Sequence, residues 1–252
     1  MQPLLGKTVL ITGAAKRVGA AIARRAHVMG ANVVIHYRQS AEAAHALEAE
    51  LNSARENSAF ALMADLNDSD ALPDLVARAH AAWGRLDALV NNASTFYPTP
   101  LGEITPAQWG DLMASNAKAP LFLAQAAAPH LRAQGGAIVN IIDIHADRPL
   151  RNYAVYTAAK AALAGITRAL AIELAPLVRV NGISPGPIDW PTASGNEGMF
   201  EAGERDRIMQ TTPLRREGGV DEIAKSVAFF LTDAPYITGQ ILAVDGGRSV
   251  YL

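Results

Sequence analysis

The chain has 252 residues, half of them hydrophobic and 18% charged, with 22 Lys and Arg against 24 Asp and Glu for a net charge of −2. A charged fraction below the typical value of about 25% excludes a disordered or tail-like protein and leaves room for a large apolar core. No dense basic run points to nucleic acid or an anionic membrane surface, and the lack of any cysteine excludes disulfides, thiolate metal sites and a cysteine nucleophile.

In chain order, residues 7–12 form a short β-branched run that stops at Gly13, and residues 18–29 carry helical Ala/Ile/Arg spacing closed by Gly30. The same alternation recurs as strand 32–37 and helix 41–52, strand 58–63 and helix 69–83, then strand 87–91 followed after a loop by helix 105–134. It continues with strand 137–143 and helix 153–175, strand 178–184, helix 221–231 and strand 240–244. Seven strands alternating with helices predict an α/β, doubly wound sheet of seven parallel strands with helices on both faces, whose ligand site lies at the carboxyl ends of the strands. No linker divides the chain, so residues 1–252 are expected to form one domain. Residues 187–219 lack a steady period and carry Trp190, Met199 and Phe200, which suits a loop with a short helix closing over a site. The first apolar stretch, 8–15, lacks a basic leader beyond Lys7, and the charge-free run 119–131 holds two prolines and falls short of the roughly 20 residues that span a bilayer. A soluble, cytoplasmic protein with no membrane partner is expected.

Candidate site residues gather at the predicted strand ends. Residues 12–19 join the first strand to the first helix, so the backbone N–H groups around Gly13, Val18 and Gly19 can hold a pyrophosphate at the positive helix end. A chain selecting an unphosphorylated ribose carries Asp or Glu at the end of the second strand. Here the run is His36, Tyr37, Arg38, Gln39 and Ser40, and a guanidinium there suits a 2′-phosphate, favouring NADPH. Asp65 and Leu66 on the third strand end, with Asn91, Asn92 and Ala93 on the fourth, complete an edge for adenine and ribose.

Tyr156 and Lys160 are four residues apart in an Ala-rich helix and share a face. A nearby ammonium, with the positive nicotinamide of the oxidised cofactor, favours phenolate, which is expected to bring Tyr156 from its usual pKa of about 10 toward proton transfer at neutral pH. Asp143, at the fifth strand end, faces the same cleft. The other histidines, His27, His45, His80, His130 and His145, lack metal-ligand spacing, so no metal site is expected.

Together, Thr12-Gly13-x3-Arg17-x-Gly19, Asn91-Asn92-Ala93, Asn116, Tyr156-x3-Lys160, Pro185-Gly186 and the closing run 237–247 resemble the short-chain dehydrogenase/reductase family over nearly the whole chain. Most members carry Ser at the place of Asp143 and Gly at that of Arg17. Those departures, with residues 91–100 and 36–40, resemble the pteridine reductase branch. The resemblance implies a Rossmann-type fold, NADP(H) as cofactor, a pterin substrate and a homotetramer. It implies phosphate contacts by Lys16, Arg17, His36, Arg38 and Ser40, and nicotinamide-side contacts by Asn92, Lys160, Pro185 and Gly186. Phe96 would stack on the pterin, with Ser94 and Arg17 on its polar edge and Asn116 positioning a water near Lys160. Trp190 would either shield the substrate or pack a subunit contact.

The expected activity is NADPH-dependent reduction of a dihydropterin of the biopterin, monapterin or folate type, with Asp143, Tyr156 and Lys160 as catalytic residues. Two rivals stand beside it: a generic carbonyl or 3-oxoacyl-thioester reductase, and a cofactor-sensing protein without turnover. Asp143 and Phe96 weigh against the first, and the Tyr156/Lys160 pair weighs against the second.

Overall fold

The computed structural model describes residues 2–189 and 203–250. The predicted aromatic Trp190, with Met199 and Phe200, therefore lies outside the described residues.

Seven parallel strands form one sheet: β1 (Thr8–Ile11), β2 (Asn32–Tyr37), β3 (Ala59–Met63), β4 (Ala88–Asn91), β5 (Ala137–Ile141), β6 (Arg179–Pro185) and β7 (Ile241–Val244). Their order is β3-β2-β1-β4-β5-β6-β7. The chain thus winds outward one way from β1 and the other way from β4. The register at the centre pairs Leu10 with Val34 on one side and with Leu89 on the other.

Strand residues alternate between two cores because successive side chains point to opposite faces. Val9, Ile11, Val33, Ile35, Val90 and Val139 meet Ile22, Leu47, Ile223 and Val227 from helices α1 (Arg17–Val28), α2 (Ala41–Ala54) and α8 (Val220–Thr232). Leu10, Val34, Leu89, Ile138 and Val180 meet Leu75, Leu123, Leu131 and Leu170 from α3 (Leu72–Ala81), α5 (Ala119–Gln134) and α6 (Ala154–Glu173). Burial on both faces explains why the strands read as unbroken apolar runs. Helix α6 has the length and mean hydropathy to cross a membrane, yet half of it is buried in the fold, as in a core helix.

The single helix expected over 105–134 is divided. Helix α4 (Pro106–Met113), closed at its start by a Thr105/Gln108 capping box, gives way to one π turn over Ala114–Lys118 before α5. Pro120 has no N–H to return to the Asn116 carbonyl, so the regular ladder cannot close there. The turn widens instead, with the Ala119 N–H reaching the Ala114 carbonyl. The short helix expected within 187–219 is α7 (Glu204–Thr211). The segment's neck is tied by an isolated bridge between Ile188 and Gly218.

Candidate active site

The loops after β1 and β4 are stitched together where the strand order reverses. The Thr12 hydroxyl accepts the backbone N–H groups of Asn92 (2.9 Å) and Ala93 (3.0 Å). The Asn92 amide donates to the Thr12 carbonyl (2.9 Å) and the Gly13 carbonyl (3.1 Å). This packing requires glycine at two places: a Cβ at Gly13, which has φ +61°, would lie 2.9 Å from Ala93 Cα, and one at Gly19 would lie 2.2 Å from the Gly13 carbonyl oxygen. The first N–H groups of α1 have no intrahelical partner and face the cleft.

A cleft of about 510 Å³ runs along the strand ends. At one end it is lined by Gly13, Lys16, Arg17, Val18, Gly19, His36, Tyr37, Arg38, Ser40, Asp65 and Leu66, and further along by Asn92, Ala93, Ser94, Asp143, Tyr156, Lys160, Pro185 and Gly186. Its volume and its cations suit a dinucleotide carrying phosphates: Lys16 and Arg17 at the positive end of α1, and Arg38 beyond β2.

His36 departs from the reading of it as a phosphate contact. It is only 2% exposed; its Nδ1 accepts the Gly13 N–H (3.1 Å) and its Nε2 donates to the Ala64 carbonyl (3.2 Å). Both nitrogens are occupied and burial pushes the pKa down to about 4. The ring is therefore a neutral brace under the glycine loop, with no cationic N–H to offer a phosphate. Arg38, by contrast, is partly exposed with Asp65 Oδ1 at 3.9 Å, leaving its guanidinium able to turn to another anion. Asn91 also departs from the expected edge: its amide donates to Asn140 Oδ1 on β5 (2.8 Å), so the side chain is turned into the sheet.

Arg17 stands at φ +49° and binds Asp189, donating from Nε to the carboxylate (3.2 Å) and from Nη2 to the carbonyl (2.6 Å). This contact joins the glycine loop to the segment after β6. No sequence signal marks it, because the partners lie 172 residues apart.

At the other end, Asp143 follows β5 in extended backbone and uses both carboxylate oxygens. Oδ1 accepts the His145 N–H (2.8 Å), capping the 3₁₀ turn Ile144–Ala146, and Oδ2 accepts the Tyr156 hydroxyl (2.8 Å). Tyr156 and Lys160 sit one turn apart near the start of α6, 4% and 2% exposed. The Lys160 ammonium donates to the Ile141 carbonyl (3.0 Å) and lies 5.7 Å from the Tyr156 ring centroid. Its desolvation lowers its pKa to about 8. In the free protein Lys160 alone does not bring the phenol toward neutrality: burial, then the Asp143 charge and hydrogen bond, place the Tyr156 pKa well above its ordinary value. In the free protein Tyr156 is a protonated donor.

Phe96 is half-buried and packed, stacked on Tyr153 (4.5 Å, 13°) and edge-on to Tyr156 (4.7 Å, 74°). It does not line the cleft itself. The Asn116 side chain donates to the Thr95 carbonyl (3.0 Å) and the Leu112 carbonyl (2.9 Å), and accepts the Ser94 hydroxyl (2.6 Å). Among the described residues no group of three metal-ligating side chains comes together.

A family model described as enoyl-(acyl carrier protein) reductase matches residues 13–249. Pteridine reductase 1 of Leishmania tarentolae is 39% identical, with 96% of each chain covered. An uncharacterized oxidoreductase of Methylorubrum extorquens is 37% identical over 98% of this chain and 99% of the relative. A 3-oxoacyl-[acyl-carrier-protein] reductase of Staphylococcus epidermidis is 32% identical over 96% and 99%. With this match, the parallel sheet and the paired Tyr156 and Lys160, the chain belongs to the short-chain dehydrogenase/reductase family of oxidoreductases.

Proposed function

We propose that this protein reduces a dihydropterin to its tetrahydro form with NADPH, as a single-domain cytoplasmic enzyme assembled as a homotetramer. The observation that carries the reading is the 2.8 Å bond between Tyr156 and Asp143 at the end of β5. Reduction of a ring C=N bond places a hydride on carbon and a proton on nitrogen. A carboxylate joined to a protonated phenol can take a proton from solvent and pass it on, whereas a carbonyl reductase needs only a neutral donor to a developing alkoxide.

NADPH supplies the hydride when bound. Lys16, Arg17, Arg38 and Ser40 would hold its phosphates, while Pro185 and Gly186 would flank the nicotinamide. Gly186 follows β6 with its N–H on the Val244 carbonyl (3.0 Å), and a Cβ there would sit 2.6 Å from Asp245 Cβ, so the backbone wall is fixed. Lys160, tied to Ile141, keeps Tyr156 flanked by a positive group, and Tyr156 donates its proton toward the substrate. Phe96, packed on Tyr153 and Tyr156, would serve as the aromatic platform for a flat heterocycle.

The second reading, a 3-oxoacyl-thioester reductase, draws on the relatives of that name. Oxidation of NADPH measured side by side with dihydrobiopterin and acetoacetyl thioester separates them. Turnover of dihydrobiopterin at least about tenfold faster in kcat/KM supports the pterin reading. The reverse order overturns it, and NADPH binding without turnover of either returns the protein to a cofactor sensor.

A further inference from the structure

Asp111 lies in the second turn of α4, and each of its carboxylate oxygens is taken by a donor from a different loop. Oδ1 accepts the Asn67 side-chain amide (3.0 Å) and Oδ2 accepts the Tyr97 hydroxyl (3.0 Å). Asn67 belongs to the loop after β3 and lines the cleft beside Asp65 and Leu66. Tyr97 belongs to the loop after β4. It does not line the cleft but packs, with Phe96, against Leu112, Tyr153 and Tyr156.

Both partners take their orientation from this carboxylate. An Asn67 amide turned the other way would set oxygen against oxygen, so Nδ2 faces Asp111, and Asn67 Oδ1 is buried without a partner. Among the described residues, the bond to Asp111 is thus the one hydrogen bond holding the Asn67 side chain. Tyr97 has one proton, and the other acceptor in reach, the Gln108 carbonyl, stands at 3.4 Å; the closer carboxylate takes it. Asp111 itself is held firmly. The Thr105/Gln108 capping box fixes the start of α4, its neighbour Leu112 is fully buried, and α4 packs against α6. One side chain on a rigid helix therefore grips a wall of the cleft at its glycine-loop end and the packing behind Phe96 at its Tyr156 end.

We propose that Asp111 is a positioning residue that couples the two ends of the cleft: a cofactor filling the glycine-loop end orders Asn67 and, through Asp111, orders Tyr97 and the adjoining Phe96 for the substrate. Order imposed by the first ligand need not be imposed again by the second, so each tightens the other by the same factor. The link joins residues 44 and 14 positions from Asp111 along the chain, which places it in the tertiary structure and not in any local motif.

The substrate side of this coupling rests on the proposed function, and its test has one arm that needs no substrate. Protein carrying 13Cζ-labelled tyrosine gives a Tyr97 line, identified by its loss in Tyr97→Phe. Saturating NADPH is expected to displace that line although Tyr97 lies outside the cleft, and Asn67→Ala and Asp111→Ala to abolish the displacement. Asp111→Asn is expected to keep it, because an amide can accept from one partner and donate to the other. An unmoved line in the unmodified protein, or a displacement that survives Asn67→Ala, overturns the proposal. Where Asp111→Ala lacks a cooperative thermal transition, Asn67→Ala carries this arm alone. In turnover of dihydrobiopterin, Asp111→Ala and Tyr97→Phe are each expected to raise KM about fivefold with kcat within about twofold, and the double variant to be no worse than either, since both remove one link. An unchanged KM, or losses that multiply in the double variant, overturns the proposal. Failure of the unmodified protein to oxidise NADPH with dihydrobiopterin counts against the proposed function alone, and the Tyr97 line still decides the role of Asp111.

Discussion

The two ends of the cleft hold their charges in opposite ways. At the glycine-loop end the cations, Lys16, Arg17 and Arg38, are exposed to water, while the titratable group beneath them, His36, is buried and neutral. At the Tyr156 end the ionisable pair Tyr156 and Lys160 is itself buried, and both groups are displaced from their ordinary pKa values. Exposed charges are screened by salt and attract anions within about a Debye length. Buried ones interact strongly with few partners and are sensitive to single atoms. On the proposed function, the first end would bind and the second would move a proton.

The largest expected effect falls at the buried end. Tyr156→Phe removes the proton donor and is expected to lower kcat about a thousandfold, with NADPH affinity within about twofold by fluorescence titration. A variant with normal kcat would erase the distinction between the ends. Next comes the neutral brace. With a folded pKa of about 4 for His36 against an ordinary value of 6.5, the unfolded chain binds the extra proton between those limits. Stability is then full above pH 6.5 and falls by about 3 kcal/mol as pH drops to 4. Urea unfolding across that window checks this, and His36→Gln is expected to flatten the slope relative to the unmodified protein. An identical slope would show that His36 carries no linkage.

Asp143→Asn comes third. The carboxylate raises the Tyr156 pKa through its charge and hydrogen bond, so the amide lowers it, and deprotonation of the Tyr156 13Cζ line is expected to begin at lower pH. Activity on dihydropterin falls about thirtyfold if the carboxylate relays the proton. Equal activity at every pH tested removes that role. The smallest effect is at the exposed end, where Arg38→Ala is expected to weaken NADPH about tenfold and reduce the salt dependence of binding, leaving NADH unchanged. Equal losses for both cofactors would mean that Arg38 does not read the 2′-phosphate.

The sequence made the sheet legible because its strands are buried on both faces and read as apolar runs between helical periods, as in residues 137–141. The pair Tyr156 and Lys160 was legible from helical spacing, and Asp143 from its place at a strand end. What stayed hidden depended on three-dimensional neighbours. The neutrality of His36 follows from Gly13 and Ala64 closing on both of its nitrogens. Asn91 looked like part of the cleft edge, but alternation along β4 turns it toward Asn140. The π turn needed Pro120 to be read against the carbonyl four residues earlier rather than as a tolerated first-turn proline. The Arg17–Asp189 contact joins distant loops with no shared pattern.

The Ile188–Gly218 bridge has a consequence for diversification. Asp189 donates its N–H to the Gly218 carbonyl (3.0 Å) and Gly218 donates to the Pro187 carbonyl (2.9 Å), so the two ends of the segment meet at one collar, while within it Leu214 donates to the Gly246 carbonyl (3.1 Å). The entropy of closing a loop grows only with the logarithm of its length once its ends are joined. With the ends already joined, a change in the number of residues beyond the collar therefore costs little closure entropy.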